Sequence, residues 1–407
     1  MKVFIKYEIL KNIYTFKFLL IFIILIILFL SSFYTMFKDY NERNKKYIEE
    51  KDKPETIAIP TYPLSIFVKG LEEEISSSFI IDQDLRIIWK TIPIEKLNLI
   101  FSIFPAPDLL FIVKIILSLI VLLFSFDSVS GEKENGTLQM ILSNSFSRTN
   151  FLLGKFFALY ITISIPFLYS FLMILTILAI LIPLDTEMFI RIILFFLISE
   201  LYLIFFLIVG MSVSILSKRS FTSLIILLFI WTTLVFVIPT FASLASDALS
   251  PLPSESYYRQ AKQQHWVKLI FLSIHQYGND SFENIQNVIE KSKKDEEELW
   301  KDYQLKLHKH LSVSEKISKI SPAGIFQDLI LSISSTGFDE YDRLKRWLIL
   351  LKDLKEEETQ GSEFSRSSIE TIINVDFVLN VFFIIALNSF LLLLSFILFS
   401  RADVRKL

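Results

Sequence analysis

Apolar residues in this chain gather into six long runs, at about Phe18–Phe37, Leu109–Phe126, Phe156–Ile182, Met188–Leu216, Phe221–Ala245 and Phe377–Ser400. Nothing else restricts the fold as much. At about 1.5 Å of rise per residue, a helical run of roughly 20 apolar residues crosses the hydrocarbon core of a bilayer. Such a segment has to satisfy its own backbone hydrogen bonds, which a helix does and a lone strand does not. The runs are continuous rather than alternating, so the expected fold class is an all-α polytopic membrane protein with six transmembrane helices. A composition of 53% hydrophobic residues, with 40 Phe among 407, agrees. The first run ends in bulky Phe33, Tyr34 and Phe37 instead of a small-residue cleavage site, and is read as a retained helix.

Orientation is read from Lys and Arg in the short connections, because short translocated loops avoid positive charge. Lys2, Lys6, Lys11 and Lys17 precede the first run, Lys218 and Arg219 lie between the fourth and fifth, and Arg401, Arg405 and Lys406 follow the sixth. The link between the third and fourth holds Asp185 and Glu187, with no cation before Arg191. Both termini and the 127–155 loop are therefore expected in the cytoplasm. The division that follows is 1–37 (N-terminus and first helix), 38–107 (outside), 108–247 (helices two to five), 248–376 (outside) and 377–407 (last helix and tail). In 38–107, Ile57–Ile59, Leu64–Val68, Phe79–Ile81 and Ile87–Trp89 read as strands, with a helix near Leu71–Ser76. The first outside region is thus mixed α/β. The second is mainly helical, with Leu299, Tyr303, Leu307 and Leu311 at four-residue spacing and Leu344, Trp347, Leu348 and Leu351 repeating the pattern. A helical hairpin packing on itself or on the smaller region is expected.

Several chemistries have little to stand on here. A net charge of −2 gives no pull toward nucleic acid. With no Cys there is no disulfide framework or thiolate metal site. The acidic runs Glu72–Glu74, Glu296–Glu298 and Glu356–Glu358 read as solvated faces. All four His (His265, His275, His308 and His310) fall in 248–376, and the His-x-His pair places two rings on different sides of a helix. A solvated face is the reading there, and no metal site is expected.

The loop after the second run carries Asp127, Gly131, Glu132, Glu134, Gly136, Thr137 and Leu138, then Leu142-Ser143, Arg148 and Gly154-Lys155. Gly131 and Gly136 permit breaks, and Leu138, Ile141 and Leu142 recur with helical spacing, so a short amphipathic helix at the membrane surface is expected, with Glu132 and Glu134 presented just before it. This order of residues resembles the signature of ABC-2-type transporter permeases. Pro63-Leu64-Ser65 with Gly70, and Ser321-Pro322-Ala323 with Phe326-Gln327 and Thr336-Gly337, are similar to stretches in the branch with large outside loops, which includes copper-enzyme-maturation and gliding-associated permeases. The resemblance implies the membrane subunit of an exporter in the inner (cytoplasmic) membrane of a bacterium. It implies a homodimer or heterodimer of permeases working with a separate cytoplasmic ATPase that carries the ATP and Mg, and the 127–155 loop as the coupling element. No phosphate-cradling Gly-x-x-x-x-Gly-Lys-Ser/Thr loop occurs in this chain, so hydrolysis is expected on that partner and no cofactor on this chain.

Two ionisable groups fall inside the runs. Glu200 lies near the middle of the fourth, where a charge costs at least about 2.5 kcal/mol and faces a partner or a cavity. Helix pairing and a pathway role both fit it, with Lys114 or a protomer interface as the facing group. Lys114, six residues past Asp108, is expected to snorkel outward. Two other classes stay open: an anchor that mechanically drives an outside protein complex, with a companion protein there, and a multispan enzyme acting on lipid or peptide.

Overall fold

The computed structural model describes residues 1–53, 56–76, 78–81, 87–89, 107–143, 147–251, 298, 302, 305–306, 309–352 and 364–401. Six helices are long and apolar enough to cross a membrane. They are α2 (Phe16–Glu50), α4 (Leu109–Glu134), α6 (Arg148–Leu181), α7 (Thr186–Leu216), α8 (Ser220–Leu249) and α12 (Val375–Arg401). Shorter helices are α1 (Lys2–Ile13), α3 (Glu72–Ile75), α5 (Thr137–Ser143), α9 (Pro322–Ile333), α10 (Phe338–Lys352) and α11 (Ile369–Ile372). Two compact units result, Met1–Trp231 with Ile325–Leu407, and Thr232–Gly324.

Polar side chains start the spanning helices, because the first backbone N–H groups of a helix have no partner inside it. Thr15 accepts from Phe18 N at 3.2 Å, Asp108 from Phe111 N at 2.8 Å and Ser147 from Asn150 N at 3.2 Å. Asp108 also accepts from Lys69 N at 3.1 Å, so one carboxylate begins α4 and ties the preceding segment to it.

Within the first unit α7 is the central helix, packed against α4, α6 and α12. Lipid tails are as apolar as leucine, so close packing and small side chains hold such helices together in place of a hydrophobic driving force. Ser125 of α4 lies against Gly210 of α7, where an added Cβ would come within 2.7 Å of Ser125 Cβ. Phenylalanine fills the wider gaps: Phe167 and Phe171 of α6 pack on Phe195 and Phe196 of α7, and Phe67 from the segment after α2 reaches Phe171 and Phe195. From Ile325 onward α9 is buried among these spans, with Phe326 stacked 4.2 Å from Tyr202 near the middle of α7.

The segment between α2 and α4 forms a three-stranded antiparallel sheet, β1 (Thr56–Ala58), β2 (Ser78–Ile81) and β3 (Ile87–Trp89), in that order. Ile57 pairs with Phe79, and Phe79 with Trp89. The expected strand at Leu64–Val68 is instead a 3-10 turn, Pro63–Ile66. Pro63 has no N–H for a ladder, Ser65 Oγ donates to Tyr62 O at 2.6 Å, and Leu64, Ile66, Phe67 and Val68 are all buried, which the alternation of a strand does not allow. Phe79, Ile75 and Ile59 form one core with Leu344 and Leu348 of α10 and with Phe364, so of the two expected packings α10 adopts the one on the smaller segment. Leu299, Tyr303 and Leu307 of the other expected helix lie outside the described residues, while Leu311 falls in a helix over 309–318.

In the second unit, π-helical turns over Thr233–Val237 lead into Ile238–Leu249. His310 Nδ1 lies 2.9 Å from Ser250 O and Nε2 lies 3.2 Å from Ser246 Oγ. His265, His275 and His308 are outside the described residues.

Candidate functional site

The 127–155 loop is built as a corner welded to the helices around it. Past Phe126 the chain turns without breaking, because Ser214 of α7 accepts from Val129 N at 3.0 Å and Ser130 N at 2.9 Å, while Ser130 Oγ donates to Phe126 O at 2.9 Å. Helix geometry resumes to Glu134 and ends at Gly136, whose φ of 70° lies in the left-handed region that glycine enters without cost. Thr137 then opens α5 by donating to Glu132 O at 3.2 Å and to the Glu132 carboxylate, and Leu138 seats α5 with 1% exposure.

Lys155 holds this corner. Its ammonium donates to Glu132 at 2.9 Å and to Glu8 of α1 at 3.0 Å, with only 6% of the side chain exposed. A buried cation between two carboxylates is stable only when every member is paired, so the loop, α1 and the start of α6 are locked together. Lys11 adds a longer contact to Glu132 at 3.5 Å. Burial works against the Lys11 charge, but Glu8 and Glu132 outweigh it and lift its pKa above the ordinary lysine value. Gly154 serves the same joint by leaving room for the Phe4 ring, which would sit 2.5 Å from an added Cβ.

Neighbouring contacts extend the weld. Lys133 donates to Ser217 O at 3.3 Å and to Ile215 O, and Glu134 accepts from Ser220 N at 3.1 Å, so the corner also grips the turn between α7 and α8. Arg148 donates to Ser400 O at 2.6 Å and Phe399 O at 3.3 Å, satisfying carbonyls at the end of α12. Asp127 is exposed, with its carbonyl accepting from Gly131 N at 2.9 Å. Gly131 has ordinary room for a side chain.

One expectation is corrected here: Glu132 is not presented outward but is half-buried and engaged with Lys155 and Thr137. Glu134, Asn135, Gln139 and Met140 form the exposed rim instead, Met140 at 70%. Glu8, Lys11, Phe4, Ser214 and Met140 belong to the site but escaped the sequence reading. Only the periodic burial of Phe4 and Glu8 on one side of α1 could have pointed to them.

At the other end of the first unit, the two motif stretches come together. Leu71 N donates to Thr336 O at 2.8 Å, and Gly70, at φ 47°, lies so close to Thr336 that an added Cβ would come within 2.7 Å of its Oγ1. Around them Glu72, fully buried, pairs with Arg366 at 3.0 Å and Arg43 at 3.3 Å and accepts from Tyr62 N at 3.0 Å. Arg191, 1% exposed, donates to Ile333 O at 2.9 Å, Ser335 Oγ at 2.7 Å and Glu187 at 2.6 Å. Glu340 accepts from Ser367 N at 3.2 Å and Ser367 Oγ at 2.5 Å. Burial raises the pKa of Tyr62, which lies under both Arg191 and Arg366. This clasp joins α2, the sheet segment, α7, the α9–α10 turn and the 364–369 link.

Inside the spans, Lys114 does not snorkel outward and does not meet Glu200. Its ammonium donates to Gln327 of α9 at 2.6 Å, a polar partner nearer than the surface. Glu200 accepts from Ser164 of α6 at 2.8 Å. Among the described residues no group of three His, Asp or Glu is placed to hold a metal ion.

No curated protein matches the chain. The family model for ABC-2 family transporter protein matches residues 3–404, taking in every span and both welded ends. The chain therefore belongs to the ABC-2 transporter family, as a multi-pass permease with six transmembrane helices.

Proposed function

We propose that this permease is the membrane subunit of an exporter driven by a separate cytoplasmic ATPase, which docks on the rim Glu134, Asn135, Gln139 and Met140. The observation that carries this reading is the Lys155 bridge. A displacement applied at α5 meets no soft joint before α1, α4 and α6, since Lys155, Glu132 and Glu8 are buried and mutually paired. Packed elements of this kind shift as rigid bodies, which is what a coupling element has to do. Both termini and the rim are placed on the cytoplasmic side of the inner membrane, ATP and Mg on the ATPase, and two permease copies in the working assembly. Segments 38–107 and 248–376 then face outward.

Co-purification with the cognate ATPase tests the assignment. Glu134→Lys is expected to weaken ATPase association about tenfold, by reversing a charge on the contact surface, while leaving membrane insertion unchanged. Lys155→Met is expected to keep association but lose stimulation of ATP hydrolysis. Full coupling in both variants would count against the reading.

The clasp around Glu72 favours a second reading, in which the outer body is moved mechanically and acts on a companion protein outside the cell. A stable outside partner recovered without any transported solute would select it.

A further inference from the structure

Glu200 is 6% exposed and lies near the middle of the 31-residue α7. One carboxyl oxygen, Oε2, accepts from Ser164 Oγ at 2.8 Å, and the Tyr160 hydroxyl lies beside the same carboxyl. The other oxygen, Oε1, has no hydrogen-bond donor among the described residues. A buried carboxylate whose neighbours are only neutral hydroxyls lacks a counter-charge, and the protein's own membrane-level cations are committed elsewhere. Lys114 is held by Gln327 and Lys155 by Glu8 and Glu132, while Arg191 is bound within the clasp.

The surroundings say from where a counter-charge would come. Phe157, Tyr160, Ser164 and Leu168 follow one another along one side of α6, and Ile193, Leu197 and Glu200 along one side of α7. Phe157, Leu168, Ile193 and Leu197 are 40–55% exposed and apolar. The carboxyl thus sits at the floor of a groove whose rim faces the lipid, at a depth that a lipid headgroup does not reach. A molecule that fits has an apolar body to lie on that rim and a cationic, hydrogen-donating group for Oε1.

We propose that the α6–α7 groove binds membrane-partitioned organic ammonium compounds, with Glu200 as counter-ion and Ser164 and Tyr160 orienting its carboxyl. As a cargo site it rests on the exporter reading, but binding itself requires no ATPase, so the two fail separately.

The test uses the full-length permease in nanodiscs with two dansyl-tagged probes of one tail, a primary alkylammonium and the corresponding alcohol, each corrected for partition into empty nanodiscs. The wild-type protein is expected to bind the ammonium about tenfold more tightly than the alcohol. Glu200→Gln brings the ratio to about one, and Ser164→Ala lowers it without abolishing it. A ratio near one in the wild type, or an unchanged ratio in Glu200→Gln, overturns the proposal and leaves a proton on the carboxyl as the counter-charge. If Glu200→Gln does not fold, native protein is treated with a membrane-soluble carbodiimide. Protection of Glu200 by the ammonium but not by the alcohol supports the site, and equal modification in both cases refutes it.

Discussion

Single side chains at the two ends of the bundle do opposite jobs. At the loop end Lys155 is one cation shared by Glu8 and Glu132. Removing it leaves two carboxylates facing each other in a dry site, a loss of about 3–5 kcal/mol for a broken buried pair. Lys155→Met should therefore lower the thermal unfolding midpoint of the purified permease clearly, and adding Glu8→Gln should restore part of it. At the far end the critical residue is one without a side chain. Gly70 combines φ 47° with a near contact to Thr336, so Gly70→Ala meets both backbone strain and a clash. Strain alone costs about 1–3 kcal/mol. Faster protease cleavage in segment 38–107 is the expected result, whereas Gly131→Ala, with ordinary room around it, should leave the cleavage rate unchanged.

Elements behave here as the periodicity of their residues allows, except where a distant partner intervenes. The spans were legible because a run of about 20 apolar residues has one stable form in a bilayer. α10 was legible too, since Leu344, Trp347 and Leu348 recur at helical spacing. The 3-10 turn at Pro63–Ile66 was not, because a short apolar stretch reads alike as strand or buried turn, and burial on every side comes only with α2, α4 and α7 in place. The clasp makes the sheet segment, α10 and the 364–369 link one element in energetic terms. Glu72→Gln should loosen all three together, since Arg43 and Arg366 then share no carboxylate in a buried site. Leu344→Ala should cost about 2–5 kcal/mol through the cavity it leaves in the core it shares with Phe79. Hydrogen exchange should report both changes in the β-strands as well as in α10.

At the scale of the whole molecule, the absence of Cys makes orientation directly measurable. Single cysteines at Asn135 and Glu73 are expected to react with an impermeant maleimide from opposite sides of the membrane, Glu73→Cys in intact cells and Asn135→Cys only in inverted vesicles. Labelling of both from one side would overturn the placement of the rim beside an ATPase. The sequence alone determined the number of spans, their helical form and the loop motif, because these depend on composition and spacing within one segment. Family resemblance lay in the same local order of residues. Tertiary structure decided which groups meet: Lys155 with Glu8, Gly70 with Thr336, Lys114 with Gln327, and Glu200 with hydroxyls instead of a cation. Such pairs join parts of the chain up to hundreds of residues apart, and they exist only because packing the spans brings distant ends to one surface. A pattern read along the chain carries the period of a helix, but the partner of a buried charge is set by the helix beside it.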